Sequence, residues 1–196
     1  MSLGREKYGA ILCDPPWKFQ AYSSKGITTR SAESHYATSE TANLEEIPVG
    51  DWAAKDCVLF MWVVDSHLDQ GLSLMSAWGF AFKTVAFNWV KTGKDGQPRM
   101  SMGLWTRKMS EICLLGTRGK PVRVDKGVRQ VIMAPRREHS RKPDEIYERV
   151  EALVAGPYLE MFARQRRAGW DAWGNEVDKF THPWRRLAQQ LKERAA

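Results

Sequence analysis

The sequence predicts an α/β protein with a mostly parallel sheet flanked by helices. Short runs rich in Val, Ile, Leu, Phe and Trp recur along the chain, as buried strands do. Between them stand stretches with apolar residues at helical spacing, and no internal repeat or low-complexity segment breaks the alternation. A chain of 196 residues is long enough for one domain with a buried core and a ligand cleft.

Strands are expected at 8–13, 57–64, 83–90, 112–116, 128–133 and 158–163, with a further short one at 170–173. Between the second and third, Leu68, Leu72 and Met75 stand at i, i+4 and i+7 and so share one helical face, with Gly79 as the stop. After Pro143 the same spacing recurs at Ile146, Val150 and Leu153. Asp144 and Glu145 fill the first turn, where the helix dipole favours them, and Gly156-Pro157 ends the helix. A last helix over 184–194 carries Leu187 and Leu191 among Arg185, Arg186, Lys192 and Arg194. Polar segments at 18–34, 92–104 and 135–141 are too long for tight turns. The first two directly follow apolar strands, at the strand ends where open α/β sheets bind ligands.

Thirty basic against 23 acidic residues give a net charge of +7, which draws polyanions but also occurs in proteins that bind none. Cys13, Cys57 and Cys113 lie singly in apolar runs, without disulfide or metal spacing, and read as free thiols of a reducing compartment. His35, His67, His139 and His182 are scattered, so no metal site is expected. The longest apolar run, 58–64, is far short of a membrane span, and the polar start has no signal-peptide core; a soluble intracellular protein is expected.

The chemistry concentrates where Ala10-Ile11-Leu12-Cys13 runs into Asp14-Pro15-Pro16-Trp17. Two prolines fix two φ angles and remove two donors, so rigid, outward-facing carbonyls are expected beside a carboxylate. Such acceptors can take both hydrogens of an exocyclic amino group and turn its lone pair toward an electrophile, while Trp17 stacks the base. A base inside a duplex must be flipped out, or supplied unpaired, to reach such a pocket. D-P-P alone also fits a proline-rich turn.

Seven further blocks follow in order: His35-Tyr36, Leu59-Phe60-Met61-Trp62-Val63, Trp89-Val90-Lys91-Thr92, Ser110-Glu111-Ile112-Cys113-Leu114-Leu115-Gly116, Lys142-Pro143-Asp144-Glu145-Ile146-Tyr147, Glu160-Met161-Phe162-Ala163-Arg164 and Trp173-Gly174-Asn175-Glu176. With D-P-P-W they make the chain, from about Tyr8 to Val177, resemble the permuted adenine-N6 methyltransferases related to the catalytic subunit of the eukaryotic messenger-RNA adenosine methyltransferase, the MT-A seventy family. The resemblance implies a Rossmann-like S-adenosylmethionine-dependent fold with permuted motif order, over residues 1–180, followed by a basic helix at 181–196.

It further implies that Asp14, Pro15, Pro16 and Trp17 are catalytic, with Tyr36, Trp62, Trp89 and Glu111 around the target base. Lys142 would meet the cofactor's carboxylate, which suits a cation at a helix start. Arg164, Asn175 and Glu176 would surround the ribose and adenine, with Cys13, Asp14, Glu160, Phe162 and Ala163 at the strand ends beside them. Where the eukaryotic enzymes have Gly after Glu-x-Phe, and His-Asn beyond the Arg, this chain has Ala163 and Arg166-Arg167. Arg107, Lys108, Arg136, Arg137, Arg141, Arg166 and Arg167 are the candidate phosphate contacts.

DNA is expected as substrate rather than RNA, on the economy of a short chain, in a bacterial or phage cytoplasm, nucleoid-associated if bacterial. A homodimer would help so small a domain cover a recognition site. RNA methylation, or an inactive nucleic-acid-binding partner subunit, are the alternatives. Inactive paralogues typically lose the Asp or the aromatic of the motif, and this chain keeps both.

Overall fold

The computed structural model describes residues 7–17, 41–103, 105–138 and 140–180. Tyr36, the 18–34 loop and the 184–194 helix lie outside the described residues.

Among the described residues seven strands form one sheet: β1 (Tyr8–Cys13), β2 (Ala53–Val63), β3 (Ala81–Thr92), β4 (Ser110–Arg118), β5 (Val131–Pro135), β6 (Tyr158–Met161) and β7 (Trp170–Trp173), in the order β5-β3-β4-β2-β1-β6-β7. β1 pairs in parallel with β2 and β6, β6 with β7, and β3 with β5. Only β4 runs against both its neighbours, β2 and β3. The sheet is therefore mostly parallel, as expected. The observed β2, β3 and β4 extend beyond the apolar runs that announced them, because hydrogen bonding continues into their polar ends.

Alternation along the strands builds two cores. Ile11, Leu59, Met61, Val63, Leu159 and Met161 face one side, where Leu74 and Met75 of helix α3 (Leu68–Ala77) cover them. Ala10, Leu12, Val58, Phe60, Trp62 and Phe87 face the other, under Ile146, Tyr147 and Val150 of α4 (Glu145–Leu153). Two short helices, α1 (Thr41–Glu45) and α2 (Val49–Trp52), precede β2.

The face of α3 differs from expectation. Gly71, Leu74 and Met75 are buried, whereas Leu68 and Leu72 are 38% and 36% exposed. The physical reason is close approach: a Cβ at Gly71 would stand 2.8 Å from Val63 Cγ2. The helix lies down on its glycine, a residue that hydrophobic periodicity does not count.

The chain leaves β1 toward β2 on one side, and leaves β6 toward β7 on the other. β1 and β6 are adjacent, so their carboxyl ends flank the topological switch point, where open α/β sheets bind ligands.

Candidate active site at the switch point

Asp14 follows β1 directly, at the carboxyl end of the sheet. The Lys142 ammonium, at the approach to α4, donates to Asp14 Oδ2 at 2.7 Å and lies 3.4 Å from Glu111 Oε2 and 5.6 Å from the Trp62 ring centroid. Lys91, from the end of β3, binds the other oxygen of Glu111. Asp14, Lys142, Glu111 and Lys91 thus form an alternating string of charges across four elements. Burial works against the Glu111 carboxylate, but Lys142 and Lys91 outweigh it and draw its pKa down to about 2. Burial likewise opposes the Lys142 ammonium, and the facing carboxylates of Asp14 and Glu111 overcome it, raising its pKa. For Lys91 burial prevails over Glu111, and its pKa is lowered.

The string borders a cleft lined among others by Leu12, Cys13, Asp14, Trp62, Lys142, Glu160, Phe162 and Arg164. The Tyr147 hydroxyl reaches both Glu160 oxygens at 3.0 Å. Burial is the main influence on Glu160, and its pKa rises to about 7 despite that hydrogen bond. Phe162 takes φ +58°, a strained conformation for a bulky residue, and packs edge-on against Trp173 at 5.5 Å. Arg164 donates to the Ser140 carbonyl at 3.0 Å and stands 3.4 Å from Glu176. Two buried donors of the cleft, Trp62 Nε1 and Arg141 Nε, have no hydrogen-bond acceptor among the described residues.

The structure brings most of the expected ligand residues together and separates others. Cys13, Asp14, Lys142, Glu160, Phe162 and Arg164 share the cleft. Asn175 and Glu176 line an adjoining concavity past β7, joined to the cleft through the Arg164–Glu176 pair. Ala163 is buried and donates its N–H to the Trp173 carbonyl at 3.0 Å, so it ties the strand ends together.

Two expectations for the D-P-P-W turn change. The Pro15 carbonyl is not unpaired, since it accepts the Trp17 amide at 2.9 Å and the turn closes on itself, leaving one lone pair free. Trp17 is 3% exposed, and its indole donates to the Trp62 carbonyl at 3.3 Å, fixing it as part of the wall behind the turn. Trp89 belongs to the core, with its indole donating to Ala134 O at 2.9 Å and Lys91 over its ring, and it does not line the cleft. Trp62 does line it. Glu111 is engaged by two lysines.

The candidate phosphate contacts divide. Arg107 and Arg136 are exposed. Lys108 pairs with Asp65 at 3.3 Å, Arg137 with Asp144 at 2.5 Å, Arg166 with Asp178 at 3.2 Å, and Arg167 lies 3.7 Å from Glu151 and over the Tyr147 ring. Arg141 lines the cleft, bonded to Gln165 at 2.9 Å and paired with Glu138. The basic runs are mostly neutralised locally, which their sequence neighbours did not disclose.

Lys91, Tyr147 and Gln165 were missed as individual residues, although Lys91 and Tyr147 lie inside quoted blocks. Lys91 could have been found from the β3–β4 register, which sets Trp89 opposite Glu111 and puts Lys91 within a diagonal step of it. Gln165 follows Arg164 with no pattern to mark it.

Comparison of the sequence with known proteins finds relatives of one class. The chain is 32% identical over 192 residues to the type II methyltransferase M.MunI of Mycoplasma sp, covering 89% of this chain and 80% of that protein. It is 31% identical over 183 residues to the N6-methyladenosine RNA methyltransferase MTA1 of Cryphonectria parasitica, covering 53% of it. Against the human N(6)-adenosine-methyltransferase catalytic subunit METTL3 it is 30% identical over 178 residues, covering 88% of this chain and only 28% of that protein. Fold, site and relatives define an α/β methyltransferase, an enzyme that requires a methyl donor. The sequence profile of the MT-A70 family matches residues 8–176, and the chain belongs to that family. Among the described residues no helix is long and apolar enough to cross a membrane.

Proposed function

We propose that the protein transfers a methyl group from S-adenosylmethionine to the exocyclic amino group of a flipped or unpaired adenine in DNA. One observation carries the reading: the D-P-P-W carboxylate, Asp14, opens into the switch-point cleft and is held there by Lys142 at 2.7 Å.

The residues present fit the methyl donor. Trp62 Nε1 and Arg141 Nε are buried donors with no acceptor among the described residues, Lys142 is a cation for a carboxylate, and Arg164 with Glu176 offers a donor and an acceptor to ribose hydroxyls. Asn175 completes the polar rim of the adjoining concavity. When bound there, S-adenosylmethionine supplies an activated methyl on sulfonium. The chain's own work is positioning. The ammonium of Lys142 occupies Oδ2 of Asp14 and leaves Oδ1 to accept one amino hydrogen, while the free lone pair of the Pro15 carbonyl accepts the other. Trp17, locked from behind by the Trp62 carbonyl, keeps the turn in place. Holding the amino lone pair in line is worth several powers of ten in rate.

The polymer is assigned to DNA because this chain accounts for 80% of the Mycoplasma type II methyltransferase but for about half or less of the adenosine-modifying relatives. We further assign residues 1–180 to the methyltransferase domain and 181–196 to a basic appendage, with a cytoplasmic location. A homodimer would suit a symmetric recognition site. The fungal RNA-methyltransferase relative favours a second reading, RNA. Labelled S-adenosylmethionine offered with duplex DNA, single-stranded DNA and RNA decides among them. Transfer to DNA is expected, transfer to RNA alone moves the assignment, and transfer to none overturns it.

A further inference from the structure

The segment joining β3 to β4 carries the most exposed large apolar side chain of the described residues. Trp105 is 99% exposed, with Met100 at 70% and Met102 at 72% nearby in the chain. An indole left wholly in water is costly and uncommon in a folded domain. The segment that presents it is well built. Ser101 and Lys108 pair across it, Ser101 N–H donating to Lys108 O at 2.7 Å and Lys108 N–H to Ser101 O at 3.2 Å, and the Ser101 hydroxyl adds a third bond at 2.8 Å. Arg99 N–H donates to Lys91 O at 2.8 Å, and Lys91 N–H to Met109 O at 2.8 Å. A Cβ on Gly103 would stand 2.1 Å from the Thr106 carbonyl, so the bend needs glycine.

Its position is functional. β3 is oriented like β1, so the segment leaves the sheet at the same end as Asp14. Its base is wired into the site, with Lys91 on Glu111, and Glu111 on the Lys142 that holds Asp14. Lys108 fastens its other limb to Asp65, just past β2. Between residues 93 and 109 the segment has Lys94, Arg99, Arg107 and Lys108 against one acid, Asp95. Arg99 pairs with Asp95 and Lys108 with Asp65, which leaves Lys94 and Arg107 as the cations of the segment with no ion-pair partner among the described residues. An exposed indole with two such cations in one segment is complementary to the faces and phosphates of nucleic acid. Against the same surface of a second copy it would set like charges together.

We infer that the 93–109 segment is a nucleic-acid contact in which the Trp105 indole stacks on a base beside the adenine being methylated, with Arg107 on a flanking phosphate. This rests on the proposed function and adds to it a site outside the methyl-transfer cleft. The test measures binding of a fluorescein-labelled duplex DNA and a single strand of the same sequence by anisotropy over a salt series, with methyl transfer followed in parallel. Trp105→Ala should weaken binding at least about fivefold, the lower end of base–aromatic stacking, without altering the salt slope. Trp105→Phe should recover most of the loss, since it retains an aromatic face. Arg107→Gln should instead flatten the salt slope by about one phosphate contact. Unchanged DNA affinity in Trp105→Ala, with wild type still methylating DNA, would overturn the inference and leave the proposed function standing. Absence of transfer to any nucleic acid by wild type would strike at the function itself. If sedimentation found wild type dimeric and Trp105→Ala monomeric, the indole would belong to an interface between copies, and the inference would be overturned.

Discussion

Lys142 Nζ stands 2.7 Å from Asp14 Oδ2, across 128 residues of sequence. The contact joins the proposed methyl-acceptor site to the cation proposed for the donor's carboxylate, so the two variants should separate. Asp14→Ala should reduce transfer at least about 100-fold, the scale of losing one aligned polar group, while S-adenosylmethionine binding by calorimetry largely survives. Lys142→Ala should weaken that binding about tenfold or more. It also leaves Asp14 and Glu111 facing each other without their shared cation, with a stability loss of about 3 kcal/mol in urea denaturation. Calorimetry that finds Lys142→Ala binding the donor like wild type would remove Lys142 from the carboxylate role.

Trp17 is expected to act through its buried position. With 3% exposure and its indole on the Trp62 carbonyl, truncation opens a cavity behind the catalytic turn. Trp17→Ala should cost about 3–5 kcal/mol of stability by denaturant unfolding, and Trp17→Phe clearly less. A Trp17→Ala protein as stable as wild type would mean that the ring is free to serve as an open platform.

These two residues mark how far the sequence could be read. β1, its D-P-P-W turn and α4 follow from local apolar runs and prolines, and their positions came out as expected. What depends on distant partners did not. The side of α3 that packs was hidden because Gly71, which allows the close approach to Val63, has no hydropathic signal. β5 was expected at 128–133 but pairs over Val131–Pro135, with Val131 and Met133 exposed, because an edge strand is defined by its pairing with β3 more than by its apolarity. Arg137 and Arg166, expected as phosphate contacts, have Asp144 and Asp178 beside them in the fold, partners that no local pattern marks.

Glu160 gives the site a pH signature. Its carboxyl is raised from 4.5 to about 7, mainly by burial. The folded state therefore holds a proton that the unfolded state releases between these values, and stability present below about pH 4.5 is lost as pH rises through 7. The loss amounts to about 3 kcal/mol at most. Glu111, drawn down to about 2, acts in the opposite sense and at lower pH, where its stabilisation disappears as pH falls below 4.5. Thermal melts at pH 5 and pH 8 should thus show a drop in wild type that Glu160→Gln largely abolishes. An equal drop in both proteins would assign the effect to another group.

Gly174 controls how closely the ends of β6 and β7 approach beside the proposed donor site. It has φ +151°, and a Cβ there would lie 3.0 Å from both Phe162 Cα and Ala163 N, which are backbone atoms that cannot swing aside. Phe162 is already strained at φ +58°, and Ala163 N–H already bonds Trp173 O. Gly174→Ala must therefore either part the two strand ends or force Phe162 further from its allowed region. A stability loss of about 1–3 kcal/mol is expected in urea denaturation, together with weaker S-adenosylmethionine binding, because Asn175 and Glu176 follow the displaced residue directly. Ala at a distant surface glycine, Gly127, whose Cβ would meet only the Asp125 carboxylate at 3.2 Å, should leave donor affinity unchanged. If both substitutions lowered donor affinity alike, the effect would be general to the fold, and the apposition of Gly174 and Phe162 would have no particular part in holding the ligand.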